Sequence, residues 1–128
     1  MAEITPILCP EACAFPPGLF HHAKIHAGVV YCAGQVGADI NGKLVSDKVG
    51  PQTEKCLQNI AAILKSAGSG LDRILKITIY VPEQADYAAM NEVYAKIMPD
   101  PKPPRACVFI KALPGGAAVE MECIAAQS

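Results

Sequence analysis

The chain has 128 residues, 52% of them hydrophobic, and its 11 Lys and Arg against 12 Asp and Glu leave a net charge of −1, with a sequence pI near 6.3. Such a chain can bury one proper core without disulfides or metal, so a single domain over 1–128 is expected, with a loop-rich stretch over 1–20. The scattered basic residues give no electrostatic footprint for nucleic acid, and neither a bilayer-spanning run nor a basic, apolar leader is visible, so a cytoplasmic protein is expected.

A mean hydropathy of +0.26 in so short a chain implies more apolar surface than one subunit leaves wet, and an oligomer is expected. Six cysteines stand at 9, 13, 32, 56, 107 and 123. Several fall inside apolar patterns where free Cys behaves as a small hydrophobe, which points to a reduced, intracellular protein.

In chain order, a short strand is predicted near Ile4 to Leu8, before Cys9-Pro10 and Pro16-Pro17-Gly18 break regular structure. Ala23 to His26 and Val29 to Ala33, separated by Ala27-Gly28, read as a tight hairpin whose second strand runs into Gly34-Gln35. Gly34 is expected to permit a close backbone approach. Pro51 suits the first turn of a helix, where its missing N–H costs nothing. From Thr53, the spacing of Cys56, Leu57, Ile60, Ile63, Leu64 and Ala67 is that of one buried helical stripe, closed by Gly68. Leu71 to Pro82 reads as a long β-branched strand. Asp86 is expected to cap a second helix carrying Tyr87, Met90, Val93, Tyr94 and Ile97 on one stripe, with Tyr87 and Tyr94 in the core. Pro99 to Pro104 ends it, and strands follow over 105–110 and 119–125. The order is that of an α+β fold with two helices on one sheet face.

The richest chemistry sits in those last strands. Arg105 opens an apolar strand right behind two prolines, and Leu113-Pro114-Gly115-Gly116 is read as the turn of a hairpin that returns Glu120 and Glu122 beside it. Strand period puts both carboxylates on one face, and the planar fork of Arg105 is suited to a small carboxylic acid. The competing reading makes Arg105 an ion-pair partner of Glu120 or Glu122 at a subunit interface. Cys107 has no histidine near it in sequence and is read as packing, not as a nucleophile. Cys9-x3-Cys13 followed by His21, His22 and His26 has poor ligand spacing, so no metal is expected. Gly115-Gly116 opens no helix and is no phosphate cradle.

Taken together, Val30-Tyr31-Cys32-Ala33-Gly34-Gln35, Gln52-Thr53, Asn59-Ile60, Ala67-Gly68, Met90-Asn91-Glu92-Val93-Tyr94, Pro104-Arg105 with Cys107, Leu113-Pro114 and Val119-Glu120-Met121-Glu122 resemble the RidA/YjgF family of imine and enamine deaminases. The resemblance runs from about Ala23 to Ala126. It implies a chorismate-mutase-like subunit, a mixed sheet with two helices on one face, assembled as a homotrimer with clefts between subunits. It also implies hydrolysis of 2-imino acids such as 2-iminobutanoate and 2-iminopropanoate to 2-keto acids and ammonia, without metal or organic cofactor. By the same resemblance Arg105 binds the substrate carboxylate, Glu120 lies near the attacking water, and Asn91, Cys107 and Gly34 line the cleft.

Two positions depart from the family pattern. Phe20 stands where a tyrosine is usual and Ala33 where a serine is usual, so two hydroxyls are missing, each worth about 0.5–1.5 kcal/mol as an ordinary hydrogen bond. The departures motivate an alternative, a divergent enzyme that hydrolyses or isomerises a larger or less polar intermediate. A non-catalytic ligand-binding trimer is the third reading, and a ribonuclease the last, since the chain has no basic stripe.

Overall fold

The structure is a computed structural model that describes residues 2–16 and 18–128. Its elements are β1 (Ile4–Ile7), β2 (Ala23–His26), β3 (Val29–Val36), α1 (Val49–Ser66), β4 (Ile74–Val81), α2 (Tyr87–Ile97), β5 (Arg105–Phe109) and β6 (Glu120–Ala126). The strands form one mixed sheet in the order β1-β2-β3-β6-β4-β5, in which β4 and β5 run parallel and the other neighbours antiparallel. Helix α1 packs on β3 and β6, and α2 packs on α1. The expected α+β architecture is present.

Alternation along β6 explains the layering. Met121, Cys123 and Ala125 are buried under α1 with Ile77 and Ile79 of β4, whereas Glu120 and Glu122 point to the other face. Opposite them, Cys56, Leu57, Ile60, Ile63 and Leu64 of α1 are fully buried in one stripe. The helix starts at Val49, four residues before Thr53, and Pro51 lies in its first turn as expected. At its end Gly68 takes φ +76°, the Gly68 amide donates to Lys65 and the Ser69 amide to Leu64 at 2.7 Å, a Schellman closure. Buried polar groups of α1 pin the chain around it. Asn59 donates to the carbonyls of Val36 and Ala38, while Gln52 donates to Ser46 and accepts from the Ala118 amide.

Ala27 (φ 51°) and Gly28 (φ 78°) make the two-residue turn between β2 and β3, where His26 pairs with Val29. Positive φ at both positions matches the twist of a tight hairpin.

Four expectations need correction. Leu71–Arg73 is a 3-10 turn and the strand begins only at Ile74. Asp86 sits at the N-cap position of α2 but makes no side-chain cap, because the 3-10 turn Gln84–Asp86 runs straight into the helix and leaves Asp86 already helical at φ −86°, ψ −6°. Tyr87 is 39% exposed, outside the core that holds Met90 and Tyr94. Last, β5 and β6 do not form a hairpin. Strand β6 inserts between β3 and β4, so β4 separates the strands of Arg105 and Glu120.

Candidate functional site

Arg105 is the first residue of β5, whose entry is tied to the sheet by the Ile77 amide donating to Pro104. It lies opposite buried Ile77, which turns its side chain to the helix face at the sheet edge. There Nη2 donates to Asn91 Oδ1 at 2.6 Å and to the Tyr87 hydroxyl at 3.3 Å, and the guanidinium carbon stands 4.8 Å from the Tyr94 ring centroid. Tyr87, Asn91 and Tyr94 are spaced four and three apart, so one stripe of α2 cups the arginine. Among the described residues no carboxylate pairs with it, and the ion pair with Glu120 or Glu122 is not made. The rest of the fork is available to an anion.

Two residues further along the same face, Cys107 is partly buried. Burial pushes its thiol up against the opposing pull of Arg105, so the group stays a neutral thiol and makes a poor nucleophile.

Glu120 occupies the other side. It pairs with Val36 on β3 and Tyr80 on β4, beside the register shift between Cys32 and Gln35. Its carboxylate lies over Gly34, where an added Cβ would come within 2.9 Å of the carboxyl carbon and Oε2. The close approach expected at Gly34 is therefore to the Glu120 side chain. Burial first, and then the charge of Glu122, raise the Glu120 carboxyl above its ordinary value. Glu122 is held by the Tyr80 hydroxyl, which donates to it at 2.9 Å.

Ala33 and Phe20 lie on this second side, lining one hollow with Tyr31 and His21. Phe20 stacks on Phe15 at 4.1 Å and is 47% exposed, and an apolar cleft of about 660 Å³ opens beyond it. His22 is engaged at both ring nitrogens, Nδ1 accepting from the Cys9 amide and Nε2 donating to the Cys13 carbonyl, each at 2.9 Å. It pins the N-terminal loop as the Nε2–H tautomer. Among the described residues no three His, Cys, Asp or Glu side chains converge as a metal site.

The structure thus brings Arg105, Asn91 and Cys107 together on the helix side, and Glu120, Gly34, Ala33 and Phe20 on the opposite side. Within one chain the two groups do not meet, because Ile77 and Tyr80, their partners on β4, are three residues apart and face opposite ways.

The sequence model of the family described as Endoribonuclease L-PSP matches residues 13–127. The fission-yeast protein mmf1, described as mitochondrial, is 41% identical over 128 residues, covering 98% of this chain and 77% of its own length. Reactive Intermediate Deaminase A of Arabidopsis thaliana, described as chloroplastic, is 41% identical over 98 residues, 76% of this chain and 52% of that protein. The chain belongs to the RidA/YjgF family. Among solved relatives, yeast YEO7 superposes with a TM-score of 0.93 at 35% identity, covering 98% of this chain and all of that one. TdcF of E. coli, solved with bound serine, gives 0.86 at 26% identity, covering 97% and 98%. The RidA/YjgF fold therefore extends over nearly the whole chain.

Sequence reasoning missed the roles of Tyr87 and Tyr94 at Arg105. Their spacing about Asn91 was the available signal, but an aromatic laid on a cation has the same helical period as one laid in a core. Phe109 was missed as well. It touches Tyr87 edge-on at 5.7 Å between ring centroids.

Proposed function

We propose that this protein hydrolyses reactive 2-imino and enamine acids, of the kind of 2-iminobutanoate and 2-iminopropanoate, to 2-keto acids and ammonium. The observation that carries the reading is Arg105, a partly buried guanidinium oriented by Asn91 and Tyr87 and left, among the described residues, without a carboxylate partner. A partly buried cation so held is suited to a bidentate anion. Membership in a family with a relative described as a reactive intermediate deaminase supports it, as does a relative solved with a bound amino acid.

In this reading Arg105 holds the substrate carboxylate and so fixes the C=N carbon for attack. Glu120, with a raised carboxyl pKa, orients a water and takes its proton as oxygen bonds to that carbon. Glu120 passes that proton to the amino nitrogen of the tetrahedral carbinolamine, and as C=O forms and the C–N bond breaks, the hydroxyl proton goes to Glu120 and from it to the departing ammonia, which leaves as ammonium. A protonated imine is already electrophilic, so the reaction requires neither metal nor organic cofactor.

Because Arg105 and Glu120 face opposite sides of the sheet, a complete site takes them from two chains. We assign the assembly as a homotrimer with three such clefts, Arg105, Asn91 and Cys107 from one subunit meeting Glu120, Gly34, Ala33 and Phe20 of the next. The family description carries the word endoribonuclease, but a net charge of −1 gives RNA little to bind. A reducing interior, cytoplasm or mitochondrial matrix, suits the buried free thiols of Cys9, Cys32, Cys56 and Cys123.

The test is ammonium release, with semicarbazide trapping of the remaining imine, when 2-iminopropanoate is generated in situ. Clear acceleration that vanishes in Arg105→Ala is expected. An Arg105→Ala protein with full activity would overturn the assignment.

A further inference from the structure

The row Arg105, Cys107, Phe109 occupies one face of β5, and Tyr87 of α2 bridges its two ends. The Tyr87 hydroxyl is 3.3 Å from Arg105 Nη2, while its ring meets Phe109 edge-on at 5.7 Å. Both rings remain open, Tyr87 39% and Phe109 46% exposed, so the core does not consume them. The result is a cationic anchor that runs without a break into an aromatic wall, with a neutral thiol between.

Accepting the hydrolase reading above, on which this rests, we infer that the wall selects 2-imino acids with a large apolar or aromatic side chain over those with a methyl or ethyl group. The argument is one of matching chemistry. Arg105 calls for a carboxylate, and the adjoining rings call for apolar surface on the same molecule. A two-carbon side chain satisfies the first demand and leaves the rings wet. A benzyl group satisfies both, offering its edge or face to rings already set in an edge-to-face pair. The opposite wall agrees with this, since Phe20 and Ala33 present apolar surface where hydroxyls would favour a polar substrate.

The test uses stable 2-keto acids, so that binding is read separately from turnover. Calorimetric titration of the intact oligomer with phenylpyruvate and with pyruvate is expected to show at least about tenfold tighter binding of phenylpyruvate. In Phe109→Ala the preference collapses to within about twofold, the loss falling on phenylpyruvate, and Phe109→Leu retains an intermediate part of it. Turnover of phenylalanine-derived against alanine-derived imine is expected to follow the same order. Equal binding of the two keto acids by the unaltered protein overturns the inference. So does a preference that survives Phe109→Ala, and so does a Phe109→Ala chain that falls apart into monomers, since the ring would then be covered by a second copy. A binding preference without turnover of either imine would instead remove the hydrolase reading and leave the selectivity standing.

Discussion

Arg105 is a restrained cation, and its restraint is testable one residue at a time. Asn91→Ala removes the 2.6 Å acceptor that orients Nη2, and kcat/KM for a small imine is expected to fall about tenfold, or about 1.4 kcal/mol of transition-state stabilisation. Arg105→Lys keeps the charge but loses the planar fork and should not rescue. In the proposed reaction Glu120 acts through pH. Its carboxyl is raised, so turnover that needs the carboxylate falls as pH drops through a value above the ordinary 4.5, and Glu122→Gln, which removes the repelling charge, moves that acid limb to lower pH. The stability sign is opposite. With the folded pKa above the unfolded one, ionisation is disfavoured in the fold, so this group's contribution is full below the unfolded pKa and is lost as pH rises through the folded one. Glu120→Gln abolishes that slope while abolishing activity, which separate thermal melts and rate profiles would show. Gly34→Ala completes the set, since its new methyl would displace only the flexible Glu120 carboxylate. The melting temperature is expected to hold while kcat falls. Arg105 and Gly34 were legible because a cation opening an apolar strand and a glycine inside one are both local anomalies.

At the scale of elements, the sequence disclosed where strands and helices lie better than how they are joined. Helix α1 was readable from its stripe and closing glycine, and the β2–β3 hairpin from Ala27-Gly28. The β5–β6 connection misled, because Gly115-Gly116 makes a turn in either topology. What decides is burial. Strand β6 buries Met121, Cys123 and Ala125 and so takes the middle of the sheet, whereas β5, with Arg105 at its head and Val108 and Phe109 exposed, takes the edge. Periodicity does not rank strands against one another. The tight turn supplies a stability prediction. Ala27 holds a left-handed φ that costs a residue with Cβ about 1–2 kcal/mol, so Ala27→Asn, the preferred residue there, is expected to raise the melting temperature without touching kcat. Unchanged or lowered stability would mean the turn is not strained.

For the whole molecule, the two groups of site residues lie on opposite faces of one sheet, and in the proposed site a second chain joins them, which only the sequence resemblance hinted. Residue spacing is blind to that, since nothing in one strand says which copy completes its cleft. The direct measurement is complementation between two inactive variants, Arg105→Ala and Glu120→Gln, unfolded together in equal amounts and refolded. Each variant alone is expected to be silent on in situ 2-iminopropanoate. The mixture is expected to recover about a quarter of the unaltered activity, because in a randomly assorted cyclic trimer that share of clefts draws an intact arginine from one chain and an intact glutamate from the next. A refolded mixture as silent as its parents, while co-refolding either variant with the unaltered chain restores rates in proportion, would contradict the account.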